Sequence, residues 1–257
     1  MEKDNNFYLS FSRLSTYLKC PLRYKFIYID NLPTVPRSYF SFGNTIHKVL
    51  EVFYDPAKNF IELEKAPYKY MMELLDSCWL SKGYASNTEE IRAKREAKRI
   101  LTNFYRKSIF AFQPALFVEK NFSFDIKEFE LRGRIDRIDE RSGRFTVVDY
   151  KTNSILPEFF REEDFLQPVI YNIAAREMLQ TNKIDFISLY FLKFDKKINF
   201  SLDNTIIEKG KKRIYDVGNL ICKGGFNPKV NGSCSNCEFK NLCPAFLEKN
   251  IKARGNV

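Results

Sequence analysis

Apolar residues recur along this chain with two periods, and the change from one to the other divides it. From Ser10 to Tyr28, Leu14, Tyr17 and Leu18 fall on one helical face, and Pro21 interrupts the run. Residues 31–38 are turn-rich and read as a loop. Helical spacing returns from Phe42 to Tyr54, over 68–80 and over 88–112, where Asn87 and Glu90 supply a cap and its reciprocal acid. The period then shortens. Phe117–Phe124, Glu128–Ile138 and Arg144–Lys151 are rich in Phe, Ile and Val with partial alternation, as strands are, and turn-like Asp139–Gly143 makes the second and third a hairpin. Phe165–Gln180 follows as a helix that tolerates Pro168 in its first turn. A hairpin of Ile184–Phe194 and Ile198–Leu202 turns around Asp195 and Lys196, and Ile206–Cys222 is helical. From Gly224 the chain is short, Gly/Asn/Pro-rich and holds three cysteines. Helices, then strands interleaved with helices, predict an α/β fold.

The length of 257 residues suits one large domain, or one with a helical insertion, here about 55–115 ahead of a core at 117–222. An aromatic share of 16% argues against disorder. The formal charge of +10 makes a polyanion a reasonable partner, although a lysine-rich soluble surface gives the same sum. The polar run Arg92–Arg99 is open in the same way: a solvated helix face, or a contact to a nucleic-acid backbone. No stretch of 18 apolar residues exists, so no transmembrane helix is expected. Met1–Asn6 lacks the apolar region of a signal peptide, and a cytoplasmic location is the expectation. Six cysteines in a reducing compartment then read as metal or cluster ligands or core residues rather than disulfides.

The strongest chemical signal is Gly133-Arg134-Ile135-Asp136 followed by Val147-Val148-Asp149-Tyr150-Lys151. Residues i and i+2 of a strand share a face, so Asp149 and Lys151 point the same way, and the hairpin brings Asp136 within reach. Two carboxylates and an ammonium on one face suit metal-assisted phosphodiester hydrolysis. Hard oxygen ligands hold Mg²⁺ or Mn²⁺, and the lysine orients water or stabilises developing charge. Asp-x-Lys alone also describes a surface ion pair. Against that, Asp149 follows two buried-type valines, and Asp136 lies in an apolar-flanked strand beside Gly133, where a close backbone approach is expected.

These residues resemble the core motif of the PD-(D/E)XK nuclease superfamily, in its RecB-like branch. The resemblance implies a restriction-endonuclease-like core, with a central mixed sheet, helices on both faces and an N-terminal helical subdomain. It makes Asp136 and Asp149 metal ligands, Lys151 the catalytic lysine, and the Tyr150 backbone carbonyl a further ligand. Phe42–Glu51 is similar to the family's Gly-x3-His helix, which makes His47, the only histidine, an additional metal ligand. Gln167 and Tyr171 match its Gln-x3-Tyr motif, i and i+4 on one helical face. Glu119 lies in a strand where relatives often carry an acid.

Cys234-x2-Cys237-x5-Cys243 is a compact thiolate loop one ligand short of a tetrahedral set, and spacing alone does not separate zinc from iron–sulfur. The resemblance to relatives of the AddB and Cas4 kind supplies Cys20 as the fourth and implies a [4Fe–4S] cluster beside the DNA path. Cys78 and Cys222 read as core residues. The activity implied is a Mg²⁺- or Mn²⁺-dependent deoxyribonuclease, foremost an exonuclease on single-stranded DNA ends in repair or recombination, with Tyr171 and Phe40 available to stack on unpaired bases. Trimming of CRISPR spacer precursors beside an integrase is the alternative within that chemistry, and a non-catalytic DNA-binding module is the alternative outside it. No Gly-x4-Gly-Lys-Ser/Thr loop is present, so unwinding would fall to a helicase partner.

Overall fold

Cys20 stands where the first helical run breaks. In the computed structural model, which describes residues 7–55, 57, 67–109, 112–158 and 162–247, α1 spans Phe11–Lys19 and α2 spans Pro21–Tyr28. Cys20, in extended conformation, closes one helix and opens the next, with Pro21 taking the first helical position. Next come α3 (Ser38–Tyr54), α4 (Pro67–Ser77) and α5 (Asn87–Ser108). The cap of α5 lies one residue earlier than the sequence suggests. Ser86 Oγ accepts from the Glu89 N–H and Glu89 accepts from the Ala85 N–H, while Glu90 turns to the Trp79 indole N–H. Much of the Arg92–Arg99 run is exposed, and its members pair locally, Lys94 with Asp76 and Arg99 with Glu96.

Five strands form one sheet in the order of the chain: β1 (Phe117–Ile126), β2 (Phe129–Arg141), β3 (Arg144–Lys151), β4 (Ile184–Phe191) and β5 (Lys196–Phe200). All neighbours are antiparallel except β3 and β4. That parallel step is bridged by α6 (Leu166–Leu179), as a crossover requires. The last helix, α7, spans Asn204–Cys222. The sheet is therefore mixed and the fold is α/β, as the pattern predicts.

Two apolar cores flank the sheet. One joins α1, α6 and α7 to it through Leu14, Ile135, Val147, Ile187, Ala174 and Ile214. The other packs α3, α4 and α5 on the opposite face through Ile46, Leu50, Met71, Leu101, Val148 and Tyr150. Each fully buried aliphatic side chain contributes about 1.5–3 kcal/mol. Cys78 packs partly buried against the second core, whereas Cys222, expected in a core, is exposed on the last turn of α7. Among the described residues no helix is long and apolar enough to cross a membrane.

The strands part where chemistry becomes feasible. The β2–β3 ladder runs from Arg141↔Arg144 only as far as Arg137↔Val148. Further along β2, Leu9 takes the place of β3, bonding to the backbones of Glu130 and Arg132. The gap leaves a backbone donor to be satisfied, and Asp136 satisfies it: its carboxylate accepts the Tyr150 N–H at 2.8 Å.

Candidate active site

Asp136, Asp149 and Lys151 meet at this divergence. Asp149 is 4% exposed. One of its oxygens accepts from the Tyr171 hydroxyl at 2.8 Å and from the Gln167 amide at 3.0 Å, and the other faces Lys151 Nζ at 2.6 Å. Lys151 also donates to Gln167 Oε1 at 2.7 Å. Gln167 and Tyr171, one turn apart on α6, thus hold the strand's carboxylate and ammonium in one orientation. Burial, with the like charge of Asp136 added, raises the Asp149 pKa against the pull of Lys151.

α3 brings the third element. His47 Nδ1 lies 3.3 Å from Asp136, and its ring stands edge-on to Tyr150. Burial disfavours the imidazolium, but hydrogen bonding to Asp136 and the nearby charges of Asp136, Asp149 and Glu119 prevail and raise its pKa. Tyr150 turns its phenol to the other face, where Arg137 donates to it at 2.6 Å beneath the Tyr54 ring.

Glu119 has a larger place than the sequence suggests. It sits within β1 with φ of +47°, a left-handed conformation that a non-glycine residue holds at a cost of about 1–3 kcal/mol. It stands across from Asp136, between the pairs Val118↔Arg137 and Lys120↔Ile135, and the ligand atoms of His47, Glu119 and Asp136 lie within 4.8 Å of one another. Arg134 Nε is 2.5 Å away. Burial and the Asp136 charge push the Glu119 pKa up to about 7. Two carboxylates and an imidazole fit a divalent ion that takes hard oxygen ligands and tolerates one nitrogen. Asp149 stands beside this trio.

The raised pKa has a measurable consequence. Folding tightens the hold of Glu119 on its proton, so the stability this gives the metal-free protein is present below about pH 4.5 and is lost as pH rises through about 7. Thermal melts between pH 5 and 8 should show Glu119→Gln losing less stability than the parent over that range, by on the order of 1 kcal/mol after solvent screening. Parallel curves would contradict the assignment.

Gly133 serves a side chain, not the close backbone approach expected of it. The Phe122 ring, directly across from Gly133 in the β1–β2 register, lies over it so closely that an added Cβ would come within 2.4 Å. Phe122 in turn meets the Tyr171 ring edge-on, with centroids 6.4 Å apart. Gly133→Ala should therefore displace Phe122, lower stability by about 1–3 kcal/mol and loosen Tyr171. Phe122→Ala combined with Gly133→Ala should cost less than the two singles summed in a denaturation cycle; strict additivity would contradict the contact. Tyr171 itself is 6% exposed with its hydroxyl committed to Asp149, so it does not offer a base-stacking surface, whereas Phe40 is exposed.

Cys20, Cys234, Cys237 and Cys243 line one cavity of about 430 Å³. Its floor is a pair of tight turns, Gly232–Asn236 and Lys240–Leu242. Contacts across the sequence hold the tail to α1 and α2: Tyr17 donates to the Gly225 carbonyl, Asn231 to that of Lys19, and Arg23 to Glu238. The four thiols are half-buried. Burial raises the Cys237 pKa, and the nearby Cys20 adds to the shift. Among the described residues no three cysteine sulfurs fall within 4.8 Å of one another.

Compared with known proteins, residues 8–244 match the family model described as the PD-(D/E)XK nuclease superfamily. A solved structure from Eubacterium rectale, provisionally named an exonuclease, is similar at 12% identity with a TM-score of 0.50, over 93% of this chain and 91% of that one. A second, named SSO0001, is 14% identical with a TM-score of 0.38, over 81% of this chain and 96% of that one. No curated protein matches.

Proposed function

This chain belongs to the PD-(D/E)XK nuclease superfamily, and we propose that it hydrolyses DNA phosphodiesters with Mg²⁺ or Mn²⁺, as an exonuclease on single-stranded ends. One observation carries the reading: the Lys151–Asp149–Gln167–Tyr171 network stands beside the His47–Glu119–Asp136 trio, so a lysine donor and a set of hard ligands converge on one spot. A divalent ion held by His47, Glu119 and Asp136, with Asp149 adjoining, would acidify water and neutralise phosphate charge. Lys151 then donates to the oxygen that gains negative charge, and Gln167 and Tyr171 keep Asp149 from rotating away. His47, fixed between Asp136 and Tyr150, supplies a ligand on a separate element, so α3 must be docked for the site to be complete. The strand end of β3 lies beside a cavity of about 420 Å³ lined by Lys151, Gln167, Asn153, Lys19 and Phe11.

The cysteine cavity completes the proposal. A tetrahedral zinc site would draw thiolates to within about 4 Å of one another, given Zn–S bonds of about 2.3 Å. Four half-buried thiols around a larger space favour a [4Fe–4S] cluster, which pins the tail to the first two helices.

End-labelled linear and covalently closed circular single-stranded DNA, offered with Mn²⁺ to anaerobically purified protein, test the mode of action. Loss of the linear substrate alone is expected. Equal cutting of circles would replace the exonuclease reading with an endonuclease one.

A further inference from the structure

Tyr39 and Phe40 open α3, adjacent in sequence and with ring centroids 4.4 Å apart, and they are 57% and 56% exposed. Two neighbouring aromatics left in water on the first turn of a well-packed helix serve no core. Tyr39 lines the cysteine cavity together with Lys19, Arg23, Arg37, Lys229 and Lys240, against a single acid, Glu238. Lys19 also lines the cavity that ends at Lys151 and Gln167, so one lysine belongs to both.

The helix itself continues the path. Phe40, Gly43, Asn44 and His47 lie at i, i+3, i+4 and i+7, one stripe of α3. Phe40 is thus about 10 Å along the axis from His47. Gly43, between them, is bare of side chain and rests against Thr152, the residue after Lys151. Along that stretch a ligand meets aromatic faces first, then backbone, then the metal trio.

We propose that Tyr39 and Phe40 are a base-stacking step, and that single-stranded DNA lies with unpaired bases on these rings and its phosphates among Lys19, Arg23, Arg37, Lys229 and Lys240. The inference rests on the nuclease reading for its substrate but not on cleavage. Unpaired bases offer the π-faces the rings need, whereas a duplex keeps its own bases stacked; the cationic rim supplies the charge complementarity for phosphates. The step makes the site prefer frayed or single-stranded ends.

The test is fluorescence anisotropy on full-length, cluster-loaded protein without added divalent ion. The probes are oligothymidine, an abasic oligonucleotide of equal length and a blunt duplex. The parent should bind oligothymidine more tightly than the abasic strand by roughly fivefold or more. Tyr39→Ala with Phe40→Ala should erase that preference while leaving abasic binding unchanged, and Tyr39→Phe with Phe40→Trp should restore it. Equal losses on thymidine and abasic strands, no loss at all, or an equal loss on the duplex would overturn the proposal. Cleavage assays run in parallel keep the two readings apart: base preference without cleavage overturns only the nuclease reading, and cleavage without base preference overturns only the stacking step.

Discussion

Lys151→Ala should lower the rate of DNA cleavage by about 10²–10³-fold or more, with single-stranded DNA affinity and thermal stability little changed. The ammonium makes two close contacts, to Asp149 at 2.6 Å and to Gln167 at 2.7 Å, and both partners retain others: Asp149 keeps Tyr171 and Gln167, and Gln167 keeps Tyr171. Removing the lysine leaves Asp149 a buried carboxylate without its nearest cation, so its already raised pKa should rise further. That has a sign. A protonated Asp149 adjoins the metal trio less favourably, so residual activity of the variant should recover toward higher pH. Asp149→Asn alongside separates the effects, since it removes the charge but keeps the Tyr171 contact, and it should show no such recovery. A Lys151→Ala protein that cleaves at the parent rate would remove the lysine from the chemistry.

Loss of the cysteine set should be felt in stability rather than in bond cleavage. Cys20→Ser, or removal of the proposed cluster by oxidation and chelation, should lower the melting temperature by on the order of 10–20 °C. A crosslink between Cys20 and the 234–243 loop closes roughly 200 residues, for which the chain-entropy model gives about 5 kcal/mol, and a protein of this size shifts about 2–4 °C per kcal/mol. The hydrogen bonds from Tyr17 to Gly225 and from Asn231 to Lys19 span the same interval but are weak closures on their own. Differential scanning calorimetry of parent and variant checks this, and coincident transitions would mean that the tail docks without a bound group.

The contrast between these two regions shows what the sequence could reveal. Asp149 with Lys151, and Gln167 with Tyr171, are joined by short-range periodicity, two along a strand and four along a helix, so their shared faces follow from spacing. Asp136 required only the hairpin, whose turn is written in Asp139–Gly143. The place of Glu119 beside Asp136 depends on the β1–β2 register, between Val118↔Arg137 and Lys120↔Ile135, which no alternation pattern encodes. The same limit applies to Gly133. A strand glycine signals close approach, but only the β1–β2 register says that a Phe122 ring does the approaching. Tyr171 and Phe40 were equal candidates for stacking by residue type, and they are separated only by burial. Cys222 reads as a core residue from its helical pattern beside apolar Ile221; Ile221 is indeed buried, yet one step around α7 places Cys222 outside. The cap of α5 at Ser86 in place of Asn87 is a one-residue competition between two good capping side chains, settled by which one holds extended backbone.

Under the proposed function, water activated at the His47–Glu119–Asp136 and Asp149–Lys151 site attacks a DNA phosphodiester. Digestion of single-stranded DNA with Mn²⁺ in ¹⁸O-water, followed by mass spectrometry of the products, tests it most directly. Product phosphates carrying one ¹⁸O are expected, with no products when chelator is present and about 10²–10³-fold fewer from Lys151→Ala. Well-folded protein that yields no products with Mn²⁺ or Mg²⁺, or products whose phosphates carry no ¹⁸O, would contradict it.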